Sequence, residues 1–131
     1  HLIFMRCGLA GDNEDISLLG PLGVVPTWQG QGVGSALVRA GMRVLENRDF
    51  SLVCVLGDPA FYGRLGFQRE SSLRPPYALP TEWEGAWQSR DLGIMASSCS
   101  GKLLVLRQWR RQALWGPLQI RRAMSAKGCP F

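Results

Sequence analysis

The sequence predicts an α/β domain built on a mixed sheet, and three stretches carry that prediction. In residues 22–37 an apolar run ends at Pro26, glycines alternate at positions 30, 32 and 34, and an amphipathic helical pattern begins at once. Residues 50–56 form a short valine-rich strand soon after that helix, and strand, helix, strand in this order is a right-handed parallel crossover. Upstream, two apolar runs flank the turn composition Gly11-Asp12-Asn13-Glu14-Asp15, the pattern of an antiparallel hairpin. Parallel and antiparallel neighbours together make the sheet mixed.

The hairpin strands are expected at residues 1–10 and 16–25. Gly20-Pro21 interrupts the second of them, since proline cannot donate to a ladder and glycine often marks a bulge. A splay is expected there, leaving backbone groups for an extended, amide-containing ligand. Val33, Ala36, Leu37, Ala40, Val44 and Leu45 recur at helical spacing, so a helix should run from Val33 to Asn47. Pro59 suits the first turn of a short helix over Ala60 to Leu65, closed by Gly66, with Phe67 opening another short strand. Residues 71–81, polar and proline-rich, read as a loop. Residues 84–92 read as a strand with Trp87 as an anchor, and 97–101 as a linker before the apolar run 103–106. No order is expected beyond Trp115.

At 131 residues the chain is one domain's worth, enough to bury roughly two thirds of its unfolded surface. With 46% apolar and 19% charged residues and no apolar run of spanning length, it reads as a soluble protein that is not in a membrane. No secretory leader pattern is seen, which places it in the cytoplasm. Four scattered cysteines without a Cys-x-x-Cys pair, and one histidine, argue against zinc and against a disulfide framework. Cys54, inside an apolar strand, reads as a small core residue. Residues 1–101 carry eight Lys/Arg and ten Asp/Glu, whereas residues 102–131 carry the other seven basic residues and no acid. That basic segment, with Trp109 and Trp115, reads as a solvated extension in preference to a nucleic-acid surface.

Glycines at a strand-to-helix turn let a backbone approach a ligand closely, and the helix's first N–H groups favour an anion. A Walker A loop needs Gly-Lys-Ser/Thr, but Gly34 is followed by Ser35-Ala36. The dinucleotide fingerprint fails at position 35, which is serine, and no acid ends the next strand.

Gln29-Gly30-Gln31-Gly32-Val33-Gly34 fits the Gln/Arg-x-x-Gly-x-Gly/Ala signature of the GNAT superfamily of acyl-CoA-dependent N-acyltransferases, after a Val-Val-Pro strand end usual there. Downstream, Gly57-Asp58-Pro59-Ala60-Phe61-Tyr62-Gly63-Arg64-Leu65-Gly66-Phe67 resembles the segment that closes the same fold. The wording of both, Leu-Gly-Pro-Leu and Val-Leu-Gly-Asp-Pro above all, resembles the YhbS-like branch of predicted acetyltransferases over residues 1–95. The resemblance implies a GNAT-like mixed central sheet and transfer of an acetyl group from acetyl-CoA to an amine of a small molecule or protein. It also implies that backbone groups of Val24 and Val25 meet the pantetheine arm. Gln29, Gly30, Gln31, Gly32, Val33, Gly34 and Ser35 would form the cofactor turn, with N–H groups from Gly30 through Ser35 on the pyrophosphate. Arg39 and Arg43 would either touch the outer phosphate or stay solvated.

Tyr62 occupies the position at which the family often has its general-acid tyrosine; the alternative is a tyrosine that packs the short helix on the sheet. Asp58 is a carboxylate in a functional loop or simply the cap of the helix at Pro59, and the general base stays unassigned. A complete domain of this family has a first strand, two helices and a second strand before the hairpin, so the sequence reads as N-terminally truncated. Residues 1–96 are then a partial acyl-CoA-binding core and residues 97–131 a basic extension. An open sheet is expected, covered by a homodimer or partner chain. Two functions fit: an N-acetyltransferase, or a non-catalytic CoA-binding or interaction module.

Overall fold

The computed structural model describes residues 1–9, 12–93, 100–107 and 110. Strands β1 (Leu2–Leu9) and β2 (Asp12–Leu22) form the hairpin, and a short 3-10 turn (Pro26–Trp28) leads to α1 (Val33–Glu46). Then come β3 (Leu52–Leu56), α2 (Pro59–Gly63), β4 (Gln68–Arg69), β5 (Leu73–Arg74), a 3-10 segment (Thr81–Ala86), β6 (Trp87–Asp91) and β7 (Gly101–Leu104). The seven strands make one mixed sheet in the order β4-β6-β3-β2-β1-β7-β5. β2 and β3 are parallel, as the crossover through α1 requires, and β1 and β2 are antiparallel.

Alternation along the hairpin sorts residues onto two faces. Met5, Cys7, Ile16, Leu18, Cys54 and Trp87 belong to one buried cluster; Leu19, Val53, Val55 and Phe50 belong to the other, with Val38, Met42 and Leu45 of α1 and Tyr62 and Leu65. α1 therefore buries one stripe against the second face and leaves Arg39 and Arg43 in solvent. Cys54 is a fully buried core residue, and Cys7, in the same cluster, is also buried.

Several boundaries differ from the sequence reading. β2 begins at Asp12, inside the stretch that reads as a turn, because Leu9 and Asp12 pair. It ends at Leu22, short of Val25. The short helix covers Pro59–Gly63, and residues 64–66 form a looser turn in which Leu65 N–H donates to the Tyr62 carbonyl. The expected strand at 84–92 starts with a 3-10 segment and becomes extended only at Trp87. The stretch 71–81 contains β5, which is missed because two residues show no periodicity; it forms by pairing in parallel with β7. That pairing, and the burial of Leu103 and Val105 in the first cluster, join residues 101–105 to the core. Cys99, Trp109 and Trp115, and residues 111–131 as a whole, lie outside the described residues.

Candidate active site

The β2–β3 ladder holds from Ile16–Leu52 to Leu19–Val55 and goes no further. Beyond Leu19 the strands have different neighbours: β2 continues to Leu22 against β1, while Leu56 of β3 pairs with Trp87 of β6. Between Leu2 and Phe4 the β1–β2 register shifts, with Leu22 opposite Leu2 and Leu19 opposite Phe4, so β2 carries one extra residue around Gly20-Pro21. The interruption expected there is present. It lies where the two parallel strands part.

The chain leaves β2 through Gly23, Val24 and Val25 and reaches α1 across the glycine turn. Gly30 (φ 72°) and Gly32 (φ 79°) are both left-handed, a conformation that costs a side chain about 1 kcal/mol or more. A Cβ at either position would meet nothing within 4 Å, so backbone conformation, with open space above it, selects glycine here. Gly34, by contrast, lies inside α1 and is buried. Gly32 is the N-cap of α1 and no side chain caps it; the first helical bond is Ala36 N–H to the Gly32 carbonyl at 3.0 Å. The N–H groups of Val33, Gly34 and Ser35 thus precede the helical ladder at the positive end of a 14-residue helix.

Both glutamines of the turn use their side chains on the loop itself. Gln29 Nε2 donates to the Val24 carbonyl at 2.9 Å, and Gln31 Nε2 donates to the Thr27 carbonyl at 3.0 Å. The Val25 carbonyl accepts from Trp28 N–H at 2.9 Å. With those carbonyls engaged, the strand end offers a ligand chiefly its N–H groups. Val25 and Trp28 are exposed apolar side chains beside the turn, at 60% and 58%. Arg39 and Arg43, in the second and third turns of α1, form no ion pair among the described residues.

Tyr62 lies on α2, directly after β3, in the buried cluster that includes Leu19, Leu22 and Val55 from the parting strands. It is 1% exposed, and its ring meets Phe61 and Phe67 edge-on at 4.9 and 5.4 Å. Asp58 caps α2, its carboxylate accepting from Ala60 N–H at 2.9 Å. Of the two roles open to Asp58, capping is the one in place. Sequence reasoning missed Gln88, a 2% exposed amide that donates to the Gly57 carbonyl at 3.1 Å and so fixes the turn from β3 into α2. Its signal is an uncharged polar residue at an inward strand position.

A turn of left-handed glycines feeding an uncapped helix, set beside parallel strands that separate, is the arrangement this α/β fold presents. The acetyltransferase (GNAT) domain model matches residues 3–69, and the chain belongs to that family. It is 31% identical over 108 residues to the uncharacterized N-acetyltransferase YjhQ of Escherichia coli K12, covering 79% of this chain and 60% of that protein. It is 36% identical over 74 residues to the uncharacterized N-acetyltransferase YhbS of the same organism, covering 55% and 42%. The crystal structure of Escherichia coli YhbS in complex with CoA superposes with a TM-score of 0.75 at 28% identity, over 84% of this chain and 61% of that one. A GNAT family acetyltransferase from Brucella melitensis, in complex with acetyl-CoA, shares the fold with a TM-score of 0.62 at 24% identity, over 82% and 58%. The chain therefore spans at most about three-fifths of each of these relatives.

Proposed function

We propose that the protein transfers an acetyl group from acetyl-CoA to an amine of a small molecule or protein, by direct attack of the amine on the thioester. One observation carries the reading: the uncapped, glycine-fronted start of α1 stands next to the end of β2 where the β2–β3 ladder stops. A pyrophosphate suits the first and an amide-containing arm suits the second, and coenzyme A has both. Family membership and the CoA and acetyl-CoA complexes of the two structural relatives support the same ligand.

In this reading N–H groups from Gly30 through Ser35 hold the pyrophosphate. The N–H groups of Val24 and Val25 meet the pantetheine arm, while Gln29 and Gln31 shape the loop. The nitrogen of the neutral amine forms the C–N bond and sheds one proton to solvent, the C–S bond breaks, and the departing thiolate takes a proton, its conjugate acid having a pKa of about 8.5. Tyr62 is the donor in this reading, because it is the phenol closest in the chain to the end of β3 and shares a cluster with the residues at which β2 and β3 part. No carboxylate is assigned as base, since that of Asp58 is committed to Ala60.

The near-complete burial of Tyr62 favours a second reading, a CoA-binding module without catalysis, in which the ring only packs α2 on the sheet. Calorimetric titration with acetyl-CoA, followed by thiol release against a panel of amines, separates the two. Binding with release supports the transferase, binding without release for every amine supports the module, and no binding removes both.

A further inference from the structure

β4 and β5 are the two edges of the sheet, yet Arg69 of β4 and Arg74 of β5 line one cavity of about 570 Å³. The sheet therefore curls across the face opposite α1. Trp87 of β6 ties the curl, its indole N–H donating to the Leu73 carbonyl of β5 at 2.8 Å. This cavity abuts the place where β2 and β3 part. Trp87 pairs with Leu56, the residue of β3 just past the end of the β2–β3 ladder, and Leu56 packs on the same buried cluster as Tyr77 and Leu79 of the cavity wall. Because α1 and α2 pack on the other face, a thioester laid along the end of β2 from the α1 side leaves the cavity side to an incoming amine.

The carboxylates of the cavity are already committed. Glu70 accepts from the N–H groups of Ser72 and Leu73 at 2.6 and 3.0 Å and from the Ser89 hydroxyl, and Glu84 pairs with Arg69 at 3.0 Å. The other two cations of the lining are uncommitted. Arg74 and Lys102 are direct partners in the parallel β5–β7 ladder, both are exposed, and neither forms an ion pair among the described residues. Like charges set opposite each other in a ladder destabilise it, and an anion held between them removes that cost. Apolar walls with a few convergent polar groups, at this volume, suit a small molecule.

We propose that the acceptor is a small amine carrying an anionic group, a phosphate monoester or a carboxylate, which Arg74 and Lys102 hold while the chain to the amine crosses the cavity toward Leu56. The inference rests on the acetyl-transfer reading for the reaction and on the cavity for binding. Two adjacent cations suit a dianion best, so a phosphate should be held more tightly than a carboxylate. An alkylamine without an acid leaves the pair unmatched, and a polyamine adds like charge to it.

The probes are 6-aminohexyl phosphate, 6-aminohexanoate and 4-aminobutanoate, with hexylamine and butylamine as controls of matched length. Binding is read from the amide shifts of Arg74 and Lys102 in the 15N-labelled full chain, with and without CoA, and turnover from thiol release by acetyl-CoA. Each acid should bind about tenfold or more tightly than its matched amine and exceed it in kcat/KM by a similar factor, the phosphate most of all. Arg74→Gln and Lys102→Gln should each remove about threefold to tenfold of that preference and leave acetyl-CoA affinity unchanged, since neither residue belongs to the glycine turn or to α2. Equal binding of acids and matched amines, or a preference that survives both substitutions, overturns the inference. Thiol release that is equal for acids and matched amines also overturns it while leaving the transferase reading in place. No release from any amine removes that reading, and the acceptor role with it.

Discussion

The side-chain amide of Gln29 donates to the carbonyl of Val24 at 2.9 Å, bridging the end of β2 and the start of the glycine turn. That bond fixes the spacing between the two backbone segments that the acetyl-CoA reading requires to act together. Gln29→Ala should weaken acetyl-CoA about threefold to tenfold, the value of one hydrogen bond, with little change in Tm because the loop is surface-borne. Gln29→Arg, which keeps a donor, should recover most of the affinity. Calorimetry on the three proteins checks this.

Gly32 tests the turn in two ways. Gly32→Ala meets no steric obstacle but is strained at φ 79°, so it should cost about 1 kcal/mol of stability and a moderate loss of affinity. Gly32→Glu adds a negative charge at the α1 N-terminus and should abolish acetyl-CoA binding while the chain stays folded. Unchanged affinity in the glutamate variant would sink the pyrophosphate assignment.

Tyr62 separates catalysis from packing. Tyr62→Phe keeps the ring in its edge-on contacts with Phe61 and Phe67, so affinity for acetyl-CoA should stay within about twofold while kcat falls about a hundredfold or more. A purely packing tyrosine predicts no loss of turnover. The Asp58 cap gives the converse control. Asp58→Ala should lower stability by about 1 kcal/mol, and Asp58→Asn, which still caps, should leave both stability and kcat near wild type. A large fall in kcat for the asparagine variant alone would return Asp58 to the chemistry.

Burial pushes the Cys7 thiol up to about 11, against a smaller lowering by a backbone hydrogen bond with Leu18. The unfolded chain therefore loses this proton first as pH rises, so folding stability falls between about pH 9 and pH 11 and is unaffected below. A two-unit difference is worth about 2 to 3 kcal/mol at the upper end. Urea midpoints across that range should decline, and Cys7→Ala should flatten the decline despite a lower midpoint at neutral pH.

Much of this was legible in the residues because local chemistry and tertiary structure agree. Gly20-Pro21 forces an irregularity in any strand, Gly30 and Gly32 allow left-handed backbone, and Asp58-Pro59 is a cap followed by a first-turn proline. Elsewhere the determinant is long-range. β5 exists because Leu73 and Arg74 find Gly101 and Lys102, and nothing within residues 71–81 announces that pairing. Gln88 and Ser17 look alike in sequence, each a polar residue in an apolar strand. Only the fold shows that the first is satisfied by Gly57 and the second by nothing.

The central claim is that one ligand engages the end of β2 and the start of α1 together. Titrating acetyl-CoA into the 15N-labelled chain and following the amides of Val24, Val25 and residues 30–35 tests it most directly. Both sets should shift along a single saturation curve, and removing the adenosine and pyrophosphate, as in acetyl-pantetheine, should abolish the response of residues 30–35 while weakening that at Val24 and Val25. Saturable binding that leaves both sets unmoved would contradict the account.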